Sequence, residues 1–153
     1  MRTIAIPDRP VLELEHLLLD VNGTLTDRGQ LIDGVVERMR RVSETLEAHL
    51  LSADTFGSLA DVASTLGVRS TTVLDGEEKL AFVRELGPER CAAIGNGAND
   101  AKMLAEAALG IAVIGAEGAA ATAIQAADVV CASIGAALDL LLDDQALAAT
   151  LRP

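Results

Sequence analysis

The apolar residues of the chain follow two patterns, short continuous runs and longer segments with helical spacing. The first continuous run, Leu17-Leu18-Leu19, is typical of a buried parallel strand and leads directly to Asp20. Apolar residues then recur at helical spacing from Val35 to Leu46, with Asp33 as the expected N-cap. The same patterns predict strands at 48–53, 69–74, 91–94, 109–114 and 128–132, helices at 58–66, 76–86 and 116–127, and a helix ending at 107.

Residues 3–6 and 11–15 flank Pro7-Asp8-Arg9-Pro10 and predict a β-hairpin ahead of the first buried strand. After this hairpin, strands and helices alternate regularly. The alternation predicts an α/β fold with a mostly parallel sheet, right-handed crossovers and helices on both faces. No linker or change in composition divides the chain, so we expect residues 1–153 to form a single domain.

Composition narrows the range of partners. The net charge of −11, from 12 basic and 23 acidic residues, repels polyanions, and an aromatic content of 1% leaves few rings on which bases stack. We therefore expect no nucleic-acid partner. No segment approaches the roughly 18 continuous apolar residues needed to cross a bilayer, so we expect a cytoplasmic protein without a membrane partner. Cys91 and Cys131 lack metal-site spacing and are expected to be buried free thiols.

Asp20 enters a turn, Val21-Asn22-Gly23-Thr24, at the end of the first buried strand. In open α/β sheets, ligands bind beyond the carboxyl ends of such strands. Gly23 would allow backbone N–H groups to approach a bound anion, and Thr24 adds a hydroxyl donor beside it. The turn is therefore suited to holding a phosphate group against the Asp20 carboxylate.

Three later segments carry polar residues that would meet this turn. Ser52 ends the second strand, Lys79 lies near the start of a predicted helix, and Gly95-Asn96-Gly97-Ala98-Asn99-Asp100 follows the fourth strand. This last segment shares two glycines with a dinucleotide-binding loop. Asp100 stands where that loop requires its third glycine, and its charge would oppose a pyrophosphate, so the dinucleotide alternative is disfavoured.

The stretch from Asp20 to Thr24 resembles the first motif of the haloacid dehalogenase-like (HAD) superfamily, usually Asp-x-Asp-Gly-Thr, with Asn22 in place of the second Asp. Ser52 resembles the second motif and Lys79 the third. Residues 95–100 resemble the fourth, Gly-Asp-Gly-x-Asn-Asp, with Asn96 in place of an Asp. The motifs follow in the superfamily's order, and the resemblance extends over essentially the whole chain. It is strongest to small soluble proteins likened to the phosphorylation domain of P-type ATPases.

The resemblance implies the HAD-like fold without a cap domain, because the segments between the motifs are little longer than ordinary α/β connections. It also implies a phosphorylated small-molecule substrate and a Mg²⁺ cofactor. Asp20 is then the candidate nucleophile. The implied magnesium shell consists of the side chains of Asp20, Asn96 and Asp100 together with the backbone carbonyl of Asn22. The phosphate would be surrounded by Lys79 and by Thr24, Ser52 and Asn99, which would bind it directly or hold Lys79 in place.

Asn22 changes the chemistry that the resemblance implies. The acid usually found there protonates the leaving oxygen and activates water. Loss of such general acid–base catalysis lowers the reaction rate by a factor of about 10² to 10⁴. Asn96 offers a neutral oxygen, so we expect weak magnesium binding. The first hypothesis is a slow phosphohydrolase or phosphotransferase with an Asp20 phosphoenzyme. The alternative is a phosphate-ligand-binding or regulatory module without turnover.

Other expectations concern closure of the site and the remaining polar residues. Without a cap, closure would come from a flap at 27–33, from a partner subunit in a homo-oligomer or from a large substrate. His16 and His49 are expected to pack at strand edges rather than to act as bases. Asp54 fits a helix N-cap as well as a role at the phosphate site. A receiver-like phosphoacceptor domain is disfavoured by the segment at 95–100.

Overall fold

A sheet of six parallel strands runs through the centre of the computed structural model, which describes residues 1–153. The strands of the protein are β1 (Arg2–Ile4), β2 (Leu12–Leu14), β3 (His16–Asp20), β4 (Thr26–Asp27), β5 (Gln30–Leu31), β6 (Glu47–Ser52), β7 (Arg69–Thr72), β8 (Cys91–Gly95), β9 (Leu109–Val113) and β10 (Val129–Cys131). The helices are α1 (Val35–Val42), α2 (Leu59–Leu66), α3 (Gly76–Leu86), α4 (Ala101–Glu106), α5 (Ala121–Ala126), α6 (Ile134–Leu142) and α7 (Asp144–Leu151).

The strand order in the sheet is β10-β9-β8-β3-β6-β7, which places β3 near the middle. The chain leaves β3 towards β6 and β7, then returns to the other side of β3 to form β8, β9 and β10. The order therefore reverses beside β3, and the crevice at such a reversal is the usual ligand site of open α/β sheets. Every pairing in the sheet is parallel, which confirms the predicted fold class.

Helices cover both faces of the sheet, as predicted. Because side chains alternate along a strand, Leu17 and Leu19 face one side of β3 and Leu18 faces the other. The first side is packed by α1, α2, α6, α7 and the hairpin of β1 and β2, and the second by α3, α4 and α5. All three leucines are fully buried. Burying one leucine contributes about 1.5–3 kcal/mol, so β3 is held firmly from both sides.

Two antiparallel hairpins accompany the sheet. β1 pairs with β2, with Arg2 opposite Leu14, which confirms the predicted N-terminal hairpin. β4 pairs with β5, with Thr26 opposite Leu31. This second hairpin lies in the segment predicted to be a flap and follows the turn after β3 directly.

Two predictions about helix ends are wrong. Asp33 is exposed and does not cap α1, because the residue before the helix is Gly34, with a φ of 83° and no side-chain cap. The helix predicted at 116–127 forms only from Ala121 to Ala126. The residues before it form a turn instead, in which the N–H of Gly118 donates to the carbonyl of Gly115 at 2.9 Å.

Three smaller expectations can be compared with the structure. Asp54 is not the N-cap residue of α2, which is Ser58, but its Oδ1 accepts the N–H of Leu59, the first residue of the helix, at 2.9 Å. Cys91 and Cys131 are buried free thiols, as predicted. None of the helices combines the length and apolar character required to cross a lipid bilayer.

Candidate active site

Asp20 is the last residue of β3 and is followed by a tight turn. Within this turn the N–H groups of Thr24 and Thr26 donate to the Val21 carbonyl at 3.2 and 3.1 Å, and the Gly23 N–H donates to the Thr26 carbonyl at 3.0 Å. Gly23 has a φ of 76°, which glycine adopts without strain. The N–H groups of Gly23 and Thr24 therefore both have hydrogen-bond partners within the turn.

Lys79 connects the carboxylate of Asp20 with that of Asp100. Its Nζ donates to Asp20 Oδ1 at 2.8 Å and to Asp100 Oδ1 at 2.7 Å. Lys79 is 1% exposed, and both carboxylates are buried as well. Residues from β3, α3 and the loop after β8 therefore meet in one crevice.

The start of α3 places Lys79 in this crevice. Asp75 caps the helix, since its Oδ1 accepts the N–H groups of Glu77 and Glu78 at 3.0 Å each. Lys79 and Val83 are the buried residues of α3. They are one turn apart, so they lie on the same face of the helix, towards the sheet.

Burial and the three charges set the protonation of the site. Burial and then repulsion from Asp100 raise the pKa of Asp20 from 3.8 to about 6, although attraction to Lys79 opposes the shift. Burial alone would lower the pKa of Lys79, but attraction to Asp20 and Asp100 outweighs it and raises that pKa above its usual value. Lys79 is therefore a permanent cation. With both carboxylates ionised, the cluster keeps a net negative charge that attracts a further cation.

The Thr24 hydroxyl lies between Asp20 and Asn96. Its Oγ1 is 3.1 Å from Asp20 Oδ2 and 3.2 Å from Asn96 Oδ1. A hydroxyl has one proton and donates to one of these oxygens at a time. The Asn96 amide nitrogen donates to the carbonyl of Gly118 at 3.3 Å, which keeps the amide oxygen directed towards Thr24.

Asp100 organises the loop that follows β8. Its Oδ2 accepts the N–H groups of Asn96 at 3.1 Å and Gly97 at 2.9 Å, while Oδ1 accepts from Lys79. A Cβ on Gly95 would lie 2.5 Å from the carboxyl carbon of Asp100, so only glycine fits there. Both Asp100 oxygens thus have protein partners.

The donor atoms of this crevice suit a magnesium ion. Mg²⁺ prefers carboxylate, carbonyl and water oxygens, and the side chains that meet here offer oxygens without sulfur or imidazole. Asp20 Oδ2 and Asn96 Oδ1 are both within 3.2 Å of the Thr24 hydroxyl, so a carboxylate oxygen and an amide oxygen border the same part of the crevice. The residues present therefore fit this cofactor.

Three predicted site residues lie outside the hydrogen-bonded cluster. Ser52 is buried at the end of β6, where its hydroxyl accepts the N–H of Asp54 at 3.0 Å. Asn22 is half-buried, and Asn99 is exposed. The side chain of Asn99 makes no hydrogen bond with Lys79, whose Nζ is held by the two carboxylates.

One acidic residue beside the site was not predicted. Glu117 lies in the loop after β9, and its carboxylate packs directly against Gly23. A Cβ atom added to Gly23 would overlap this carboxylate and would also lie only 2.8 Å from Asn96 Nδ2. The carbonyl of Asn96 also accepts the N–H of Ala120 at 2.8 Å, which anchors this loop against the site. The sequence contains one signal for Glu117, since it is the only charged residue between positions 107 and 127.

The fold and the site define an α/β domain in which two aspartates and a lysine meet at the point where the strand order of a parallel sheet reverses. Residues 74–135 match the family model described as haloacid dehalogenase-like hydrolase. The matched segment contains Lys79 and residues 95–100, which confirms the resemblance of the third and fourth motifs to the haloacid dehalogenase-like superfamily.

Three relatives illustrate the likeness. An uncharacterized protein of Methanocaldococcus jannaschii is 46% identical over 84 residues, which cover 50% of this chain and 90% of that protein. A chloroplastic copper-transporting ATPase of Arabidopsis thaliana is 30% identical over 127 residues, 76% of this chain and 13% of the ATPase. A solved structure of the 3-deoxy-D-manno-octulosonate 8-phosphate phosphatase of Moraxella catarrhalis, in complex with magnesium, phosphate and KDO, is 18% identical, with a TM-score of 0.70 over 91% of this chain and 94% of that chain. The fold prediction and the likeness to P-type ATPases are thereby confirmed.

Replacing Lys79 with methionine should destabilise the protein strongly. Methionine retains much of the apolar stem but leaves Asp20 and Asp100 buried without an ammonium group, and removing one partner of a buried ion pair costs about 3–5 kcal/mol. We expect a loss of this size in the free energy of unfolding, measured by urea denaturation in EDTA. The control Lys102→Met removes an exposed lysine paired with Glu77 and should change the free energy by less than about 1 kcal/mol.

The double variant Asp20→Asn, Lys79→Met distinguishes charge from packing. It should recover part of the lost stability, because one of the two facing carboxylate charges is gone. A double variant no more stable than Lys79→Met alone would contradict this electrostatic account.

Proposed function

We propose that the protein is a slow magnesium-dependent phosphohydrolase or phosphotransferase that acts on a phosphorylated small molecule through an aspartyl-phosphate on Asp20. The observation that carries this proposal is the buried contact of Lys79 with Asp20 and Asp100. An ammonium group in this position offsets the repulsion between a carboxylate nucleophile and an incoming phosphoryl group. The match of residues 74–135 to the haloacid dehalogenase-like hydrolase model supports the same class of reaction.

In the proposed reaction, a carboxylate oxygen of Asp20 attacks the phosphorus in line with the leaving oxygen, and the bond from phosphorus to that oxygen breaks. The leaving oxygen takes its proton from water, because Asn22 has no acidic proton to give. Water then attacks the phosphorus of the phosphoenzyme, which releases inorganic phosphate and regenerates Asp20. An alcohol in place of this water would give phosphotransfer.

A magnesium ion would be held by the side chains of Asp20, Asn96 and Asp100 and by the backbone carbonyl of Asn22. When bound, it would offset the negative charge of the nucleophile and the phosphate. Asp20 and Asn96 support this assignment best, since their oxygens already converge on the Thr24 hydroxyl. Asn96 carries no charge, so the affinity should be lower than with a carboxylate in its place.

The phosphate oxygens would be bound by Lys79, Thr24, Ser52 and Asn99. Thr24 supports this role because its hydroxyl is 3.1 Å from Asp20. Ser52 accepts a backbone hydrogen bond and therefore keeps its own proton for donation to a ligand. The exposed Asn99 would approach a phosphate from the solvent side.

The amides of Asn22 and Asn96 also favour an alternative function, a phosphate-ligand-binding or regulatory module. Each amide replaces a negative charge, so the crevice repels a phosphate dianion less than a site with carboxylates at both positions. Such a module would bind its ligand without turning it over. Calorimetry in which a phosphorylated ligand binds and is recovered unchanged after hours would favour this alternative.

The proposal includes an open site. Between β3 and β6 the chain forms only the hairpin of β4 and β5 and the helix α1. Closure would come from that hairpin, from a partner subunit in a homo-oligomer or from a large substrate. We further propose a cytoplasmic protein in which residues 1–153 act as one domain.

Asp20→Asn should abolish phosphate release, because the variant lacks the nucleophilic carboxylate. The assay measures inorganic phosphate released from a panel of phosphate esters with Mg²⁺, including aryl and acyl phosphates, whose good leaving groups need the least acid help. The control Asp61→Asn removes an exposed carboxylate from α2 and should retain the wild-type rate. Undiminished release by Asp20→Asn would end the proposal.

Asn22→Asp should accelerate turnover by about 10² to 10⁴, because it restores a group that protonates the leaving oxygen and activates water. The comparison is of kcat for the wild type and the variant on one alkyl phosphate. Peptide mass spectrometry of the wild type should show an intact Asn22, since an asparagine followed by glycine is prone to deamidation. A variant no faster than the wild type would show that the missing acid is not what limits the reaction.

Glu117→Gln should weaken magnesium binding several-fold, because this carboxylate borders the turn that carries Asp20 and attracts a cation to it. The affinity is measured by calorimetric titration with Mg²⁺. The control Glu85→Gln removes the same charge from an exposed position on α3 and should leave the affinity unchanged. Equal weakening in both variants would show that only the net charge of the protein matters.

A further inference from the structure

The only two histidines of the chain lie side by side towards the amino end of the sheet. His16 begins β3 and is paired in register with Glu47, the first residue of β6. His49 lies two residues further along β6, on the same face as Glu47, and is buried inside the strand rather than at its edge. Asp20 lies at the opposite end of β3, so these residues are separate from the candidate active site.

The packing around the two rings holds them in place. The ring of His49 lies 5.3 Å from that of His16 and contacts Phe82 of α3 edge-on at 5.5 Å between ring centroids. The exposed carboxylate of Glu47 is held through Oε1 by Arg69 at 3.0 Å, while its Oε2 is 3.6 Å from His16 Nδ1. Two imidazole nitrogens and one carboxylate therefore lie close together.

The distances between these atoms match a tetrahedral metal site. Two nitrogens bound to one zinc ion at 2.0–2.1 Å are about 3.3–3.4 Å apart. His49 Nε2 and His16 Nδ1 are separated by 3.3 Å. One atom from each of His16, His49 and Glu47 lies within 4.8 Å of the others. The third ligand is a carboxylate oxygen of Glu47, whose Oε2 lies 3.6 Å from His16 Nδ1.

We propose that His16, His49 and Glu47 bind a divalent transition-metal ion of the zinc class. Two imidazoles and a carboxylate favour zinc over magnesium, which prefers a shell made only of oxygens. Three protein ligands leave the fourth position to water on the exposed side of the cluster. Arg69 supports Glu47 from outside the shell, and the ion clamps β3 to β6 at the end opposite the active site.

The test is a calorimetric titration of the full chain, purified without a polyhistidine tag, with ZnCl₂ in the presence of excess Mg²⁺. We expect one zinc ion per chain. His16→Gln, at a half-buried position, and Glu47→Gln, at an exposed one, should each weaken binding at least tenfold. Glu44→Gln removes the same charge from a neighbouring exposed position and should bind as the wild type does.

Two further variants separate this site from the other metal-binding groups of the chain. Asp20→Asn should retain zinc binding, because the active-site carboxylate is not a ligand. Cys91→Ser should also retain it, since Cys91, although in register with His16 on β8, donates its thiol to the Gly87 carbonyl. Co²⁺ in place of zinc should give the visible absorption of a tetrahedral site in the wild type and lose it in His16→Gln.

Zinc should also raise the Tm of the wild type without raising that of His16→Gln. The proposal is overturned if the wild type takes up no zinc. It is equally overturned if His16→Gln and Glu47→Gln bind zinc as tightly as the wild type, or if binding is lost in Asp20→Asn or Cys91→Ser.

Discussion

The candidate active site depends on the Lys79 ammonium group between two buried carboxylates. A lysine in the protein interior costs several kcal/mol unless its charge is paired, so α3 packs stably in this position only with Asp20 and Asp100 beside it. Their contacts at 2.8 and 2.7 Å join β3, α3 and the loop after β8, which are far apart in the sequence. Charge pairing, added to apolar burial, therefore fixes the geometry of the crevice.

The same pairing explains what the two asparagines do. The cluster of Lys79, Asp20 and Asp100 has a net charge of about −1 when both carboxylates are ionised. Carboxylates at positions 22 and 96 would add two negative charges and oppose a phosphate dianion, unless a tightly bound cation offset them. Asn22 and Asn96 remove that repulsion. In the proposed reaction, the same substitutions would cost a proton donor and lower the affinity for the cation.

The central features of the fold were predictable because they depend on periodicity. An apolar run ending in Asp20 indicates a central parallel strand, and the carboxyl ends of parallel strands meet at one edge, which brings Lys79 and Asp100 to the same place. Local hydrogen bonding was less predictable. The alanine-rich segment at 116–127 has high helix propensity, but the contacts of Gly118 and Ala120 with Asn96 hold its first residues in a turn.

The features that the sequence did not reveal depend on strand register and loop path. His16 and His49 are 33 residues apart, and a shift of one residue between β3 and β6 would place them on opposite faces of the sheet. Glu117 reaches Gly23 only because the turn at Gly115 and Gly118 returns the chain towards the site. Because its carboxylate is exposed, the charge stays hydrated and carries little desolvation cost. The loop after β9 can therefore supply negative charge beside the crevice without the burial penalty that carboxylates at positions 22 and 96 would incur.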